Sequence, residues 1–166
     1  MFDGEIMKNV THHMLLRVFM GISLMMMFIP FTYAESTFSV EKVVISQNVT
    51  NRNPVGIFSP PAYCEKDTSG QAAIPVVKTS KTSQVFLWTK VAATTKGKLR
   101  HSWHHQVDGT WRMVSEVNLS IYPSPGYRTW SVKSLNPAIH TGEWMVVIAP
   151  SNSPEKILCI TRFTVQ

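Results

Sequence analysis

Trp111-Arg112-Met113-Val114-Ser115-Glu116-Val117-Asn118-Leu119-Ser120-Ile121 decides the fold class. Trp111, Met113, Val117, Leu119 and Ile121 alternate with Arg112, Glu116, Asn118 and Ser120. That is the period of a strand with one face buried and one face wet. Val107-Asp108-Gly109-Thr110 stands just before it and carries the Asp-Gly pair of a tight hairpin. On the near side of that turn, Lys98-Leu99-Arg100-His101-Ser102-Trp103-His104-His105 reads as the partner strand.

The same signature recurs outward in both directions. Phe38-Ser39-Val40-Glu41-Lys42-Val43-Val44-Ile45 reads as a first strand, and residues 84–91, with Val85, Phe86, Leu87 and Trp88, as a strong one. Between them, Asn51-Arg52-Asn53-Pro54-Val55-Gly56 is a turn signal, because Asn and Gly tolerate positive φ and Pro sets its own. Pro123-Ser124-Pro125-Gly126 feeds Tyr127-Arg128-Thr129-Trp130-Ser131-Val132-Lys133. Residues 144–149 read as a buried strand, and residues 157–165 end the chain. No helix-period pattern of useful length follows residue 34. The expectation is an all-β domain over residues 35–166, a single immunoglobulin-like antiparallel β-sandwich of about seven strands. Residues 65–83, rich in Ser, Thr, Lys, Gln and Gly, fit no strand and stand out as a long loop.

The first 34 residues read as an export signal. Lys8 and Arg17 are the basic part, residues 18–31 the apolar run, and Thr32-Tyr33-Ala34 the small-residue cleavage site. Asp3 and Glu5 are out of place there, and Met7-Lys8 makes a cleaner start. The alternative is an uncleaved anchor to the inner membrane over residues 18–34, a run at the lower limit of length for a span. Either way the expected location is periplasmic or secreted, or tethered at the membrane surface, with membrane contact only through an uncleaved N-terminal segment. In that compartment Cys64 and Cys159 are expected to form a disulfide; the alternative is two free buried thiols, since Cys159 lies in an apolar pattern.

The net charge of +6 is unaltered by removal of residues 1–34, where two cations offset two acids. It favours acidic partners, an envelope protein or an anionic glycan among them. Nucleic acid is disfavoured, because the basic residues are scattered and form no stripe.

Two segments set aromatics beside cations, and they supply the candidate binding residues Arg128, Trp130, Lys133, His101 and Trp103. Parity puts Arg128 and Trp130 on one face of their strand, with Ser131 and Lys133 on the other. A guanidinium beside an indole either stacks on it or offers its fork to a carboxylate or phosphate. His101 and His105 share a face and His104 points away; at four residues' separation the pair is roughly 13 Å apart, too far for one zinc ion. No metal and no cofactor is expected. Asp108, Glu116 and Glu143 are isolated carboxylates, and Ser131 lies in no nucleophile turn, so no catalytic residue is assigned.

The order of short motifs resembles the domain-of-unknown-function family 2914 of bacterial envelope-associated proteins. The resemblance is carried by Asn51-Arg52-Asn53-Pro54-Val55, Val85-Phe86-Leu87-Trp88-Thr89-Lys90, His101-Ser102-Trp103, Arg128-Thr129-Trp130-Ser131-Val132-Lys133 and Gly142-Glu143-Trp144. It implies a compact β domain, often placed after an export signal, and no reaction. Asn53 stands where the family usually has Glu, and residues 65–83 look like an insertion. The expected function is therefore that of a non-enzymatic binding or interaction module of the envelope. The alternatives are a glycan-acting enzyme using His101 with Glu116 or Asp108, and a purely structural domain.

Overall fold

In a computed structural model, residues 38–65 and 73–166 are described. The expected export signal and part of the 65–83 loop therefore lie outside the described residues. In chain order the elements are β1 (Phe38–Thr50), β2 (Asn53–Ile57), β3 (Val76–Val77), β4 (Gln84–Ala93), β5 (Gly97–Val107), β6 (Thr110–Ile121), β7 (Ser124–Ser134), α1 (Pro137–His140), β8 (Gly142–Pro150) and β9 (Cys159–Val165).

The β5–β6 hairpin turns at Asp108 and Gly109, both at positive φ (52° and 74°), as a two-residue loop demands. Its ladder runs from Val107↔Thr110 to Gly97↔Ile121, with a bulge where Trp103 faces Ser115 and His104 faces Met113. Val114 is the extra residue. A one-residue insertion reverses every side chain beyond it. Val117, Leu119 and Ile121 therefore share the side of Leu99 and His101, whereas Trp111 and Met113 turn outward, Met113 to 60% exposure. The alternation read as one continuous stripe is two stripes on opposite faces.

Two sheets stack into a sandwich. One has the order β2-β1-β4-β7 and is antiparallel throughout; the other has the order β3-β9-β8-β5-β6, with only β3–β9 parallel. The chain crosses between sheets at β2→β3, β3→β4, β4→β5, β6→β7 and β7→β8, which places β4 beside β7 and β5 beside β8. Such interlocking is what an immunoglobulin-like sandwich requires. Nine strands are present among the described residues instead of about seven. The additions are β2, hidden in a segment with turn composition, and the two-residue β3, which lies inside the polar 65–83 region.

Both inner faces are apolar. Val43, Ile45, Val85, Leu87 and Val91 of the first sheet meet Leu99, Trp103, Trp144, Val146, Ile148 and Phe163 of the second, all buried. Trp144 stacks on Phe163 at 5.9 Å, and Trp103 meets the same ring edge-on at 6.2 Å. Cys64 and Cys159 form the expected disulfide, with Cα atoms 5.1 Å apart across a separation of 95 residues. The alternative of two free thiols is excluded. The bridge clips the segment after β2 onto the start of β9, where Glu65 also donates its amide to Ile160 O (2.7 Å).

Candidate functional site

The site begins with a strained turn. β1 and β2 join through Asn51 and Arg52 alone, at φ 50° and 62°, with Thr50 paired to Asn53. Left-handed backbone costs a non-glycine residue roughly 1–2 kcal/mol, least for Asn, so Arg52 needs compensation. It has three contacts. Its carbonyl accepts from Trp88 Nε1 (2.9 Å), its guanidinium donates to Arg128 O (3.3 Å), and the same group lies 5.4 Å over the Tyr127 ring. Arg128 Nη1 in turn donates to Asn53 Oδ1 (3.1 Å), and Asn53 Nδ2 to Asn51 O (3.1 Å). The turn is thereby folded over the outer face of the first sheet. Arg52, Tyr127, Arg128, Thr129 and Trp130 line a shallow groove there.

Register orders that outer face into rows. Lys42, Lys90 and Arg128 lie directly across from one another on β1, β4 and β7. Val44, Trp88 and Trp130 form the next row, and Ser46, Phe86 and Val132 the one after, with Ile57 of β2 opposite Ser46. Like charges set directly opposite in a sheet are destabilising. Glu41, on the bulge of β1, reaches Lys90 at 2.7 Å and neutralises the middle of the cationic row. Lys42, Arg52 and Arg128 have no carboxylate within ion-pair distance among the described residues. Trp88 and Val44 are buried beneath the turn, whereas Trp130 keeps 36% of its surface. A half-open indole flanked by unpaired guanidinium groups can receive a planar or anionic group.

The five expected binding residues do not converge. Arg128 and Trp130 stand together on this outer face. Lys133, opposite Val85 at the sheet edge, is half-buried; the His140 imidazole has its pKa lowered first by burial and further by the nearby Lys133 charge. His101 and Trp103 face inward on β5, between β8 and β6, and are fully buried, so they form no part of a surface. Both meet Ser131 from across the sandwich: Trp103 Nε1 donates to Ser131 Oγ (3.2 Å), and His101 Nδ1 lies 2.8 Å from the same oxygen. An indole N–H only donates, so Ser131 Oγ accepts from it and its own hydrogen is free for Nδ1. That assignment, made from the network, leaves the imidazole hydrogen on Nε2, which has no partner among the described residues. Burial pushes the His101 pKa down to about 3.

The carboxylates considered with His101 are elsewhere. Glu116 pairs with Arg100 (3.4 Å) and accepts from Asn118 (3.3 Å), and Asp108 sits in the hairpin turn. His105 is buried, not solvated: it stacks on Trp144 at 4.7 Å with its Nε2 3.1 Å from Thr141 O. Among the described residues no three His, Cys, Asp or Glu side chains are grouped to hold a metal ion. The described part of the 65–83 loop contributes β3 to the edge of the second sheet and does not join the Arg128 face.

Sequence reasoning missed Arg52, Lys42 and Val132. Arg52 was legible only as a turn residue; its role depends on the Trp88 indole beneath its carbonyl. Lys42 and Val132 acquire meaning only through register.

Residues 96–165 match the family model described as Protein of unknown function (DUF2914). The matched stretch holds the His101, Arg128 and Gly142 motifs, while the Asn51 and Val85 motifs precede it. No curated protein matches the chain. Among solved structures, the crystal structure of a Niemann-Pick type C2 protein from Japanese carpenter ant is similar at 7% identity and a TM-score of 0.45. That likeness covers 80% of this chain and 96% of that one, and it is too distant to carry any argument. From the residue before β5's opening glycine to the end of β9, residues 96–165 are similar to the DUF2914 family, whose description assigns no function.

Proposed function

We propose that the protein is an exported, non-enzymatic binding module of the bacterial envelope. Its binding surface is the outer face of the β2-β1-β4-β7 sheet, and its partner is an anionic component of the envelope. The observation that carries this reading is the cationic row Lys42–Lys90–Arg128, with Arg52 above it and one carboxylate among four cations. A fold gains nothing from cross-strand repulsion, so the row is better understood as awaiting an outside charge. The Cys64–Cys159 bridge supports an oxidising compartment. Burial of His101, the one histidine considered as an acid or base, favours a binding role over catalysis.

The test is retention of an acidic polysaccharide and of envelope extract by the full chain and its Arg128→Ala variant, with thermal stability followed in parallel. Lost retention at unchanged melting temperature supports a binding role. Lost stability assigns Arg128 to holding the β1–β2 turn through Asn53, and unchanged retention removes the reading.

A further inference from the structure

We propose that this outer face docks on a bilayer surface containing anionic lipid; the proposal rests on the reading of that face as a binding surface and names its partner. Sequence alone confined membrane contact to the N-terminal segment. The folded domain has a second means of contact.

The chemistry of the rows selects the partner. Beside the cations, the same face exposes Val55 (50%), Ile57 (53%), Trp130 (36%) and Val132 (45%). Three of these four are aliphatic. A platform for sugars needs aromatic planes and hydrogen-bonding side chains, yet Ser46, in the middle of the face, is buried and bonded to Asn48 O. A bilayer interface offers phosphates to the cations and an acyl boundary to the aliphatic groups within one thickness. An indole settles where those two meet. The cations and the apolar side chains lie in adjacent rows of one antiparallel sheet, about 7 Å apart along each strand and about 5 Å apart across neighbouring strands, so they can meet the interface together.

The two faces of the sandwich differ in the way docking requires. On the outer face of the second sheet, Arg100 is paired with Glu116 (3.4 Å) and Arg162 with Glu65 (3.3 Å), so both guanidinium groups are satisfied internally, and Lys98 of β5 is offset in the net charge of that face by the exposed Glu143 of β8. Lys42, Arg52 and Arg128 on the first sheet are not. Charge complementarity thus points one face, and not the other, toward a negative surface.

The experiment places an environment-sensitive fluorophore on the full chain at Ser134→Cys, at the end of β7 on the docking side, or at Met113→Cys on the opposite sheet. Labels report which face touches lipid even when residues 1–34 also bind it. Vesicles of phosphatidylcholine alone are compared with vesicles containing phosphatidylglycerol. The expected result is a blue shift of the 134 label on anionic vesicles only, silence of the 113 label, and affinity weakened roughly fivefold by Lys42→Gln. Equal response of both labels, or response on neutral vesicles alone, overturns the proposal. If the 134 label ignores vesicles but responds to soluble acidic polysaccharide, the lipid proposal fails and the binding face stands. If it responds to neither, both fail.

Discussion

Ser131 shows how one side chain can join the two sheets. Its hydroxyl serves the Trp103 indole and the His101 imidazole, each fully buried and each from the opposite layer. Ser131→Ala leaves both nitrogens without their partner, at about 1–3 kcal/mol for each stranded group. Urea denaturation should therefore show a loss of about 2 to 6 kcal/mol with the fold retained. His101 makes the molecule acid-sensitive. Its folded pKa of about 3 lies below the ordinary 6.5, so between those values the unfolded chain binds more protons. The stabilisation is fully present above pH 6.5 and declines as pH falls toward 3. At pH 4.5 the loss reaches about 3 kcal/mol relative to pH 7.5. His101→Gln should flatten this limb, and comparison of the two pH profiles isolates it from the carboxylates common to both proteins. Parity within a strand is legible from sequence, and it correctly set Arg128 and Trp130 apart from Ser131. Which side of a strand faces the other sheet is not legible, because it depends on the partner. Hence Trp103 and Trp130, each beside a basic residue, read alike as candidates yet lie in core and at surface.

At the level of elements, the strands with long alternation, interleaved aromatics or buried apolar runs were readable: β1, β4, β5, β6, β7, β8 and β9. β2 was not, since Asn53, Pro54 and Gly56 give it turn composition and most of its residues are exposed. The bulge at Val114 was invisible as well, because the odd-numbered apolar residues keep their count through it while changing face. The β1–β2 turn offers a separation of folding from binding. Arg52→Gly relieves the left-handed backbone, worth roughly 1–2 kcal/mol, and removes the contacts to Arg128 O and Tyr127, which are worth a similar amount. The expected outcome is stability within about 1 kcal/mol of the parent, measured by denaturation, together with weakened binding to anionic vesicles or polysaccharide. A large loss of stability would show that the guanidinium, not the backbone, dominates the turn.

For the whole molecule, two devices hold the sandwich closed: the aromatic cluster around Phe163 and the Cys64–Cys159 bridge. A link across 95 residues restricts the unfolded chain by about 4 to 5 kcal/mol in the loop-entropy model. Cys64→Ser with Cys159→Ser should lower stability by that order, and unfolding with and without reductant should show the same difference in the parent. The class of fold and the bridge were both readable from patterning and cysteine usage. The charged face was not, since its rows exist only once β1, β4 and β7 are in register. The most direct measurement of the central claim is a backbone amide chemical-shift map of the labelled protein titrated with anionic lipid or polysaccharide. Perturbations confined to Lys42, Arg52, Lys90 and the 128–132 stretch of β7 are expected. Perturbations centred on β5, β6 and β8, or none at saturating ligand, would contradict it.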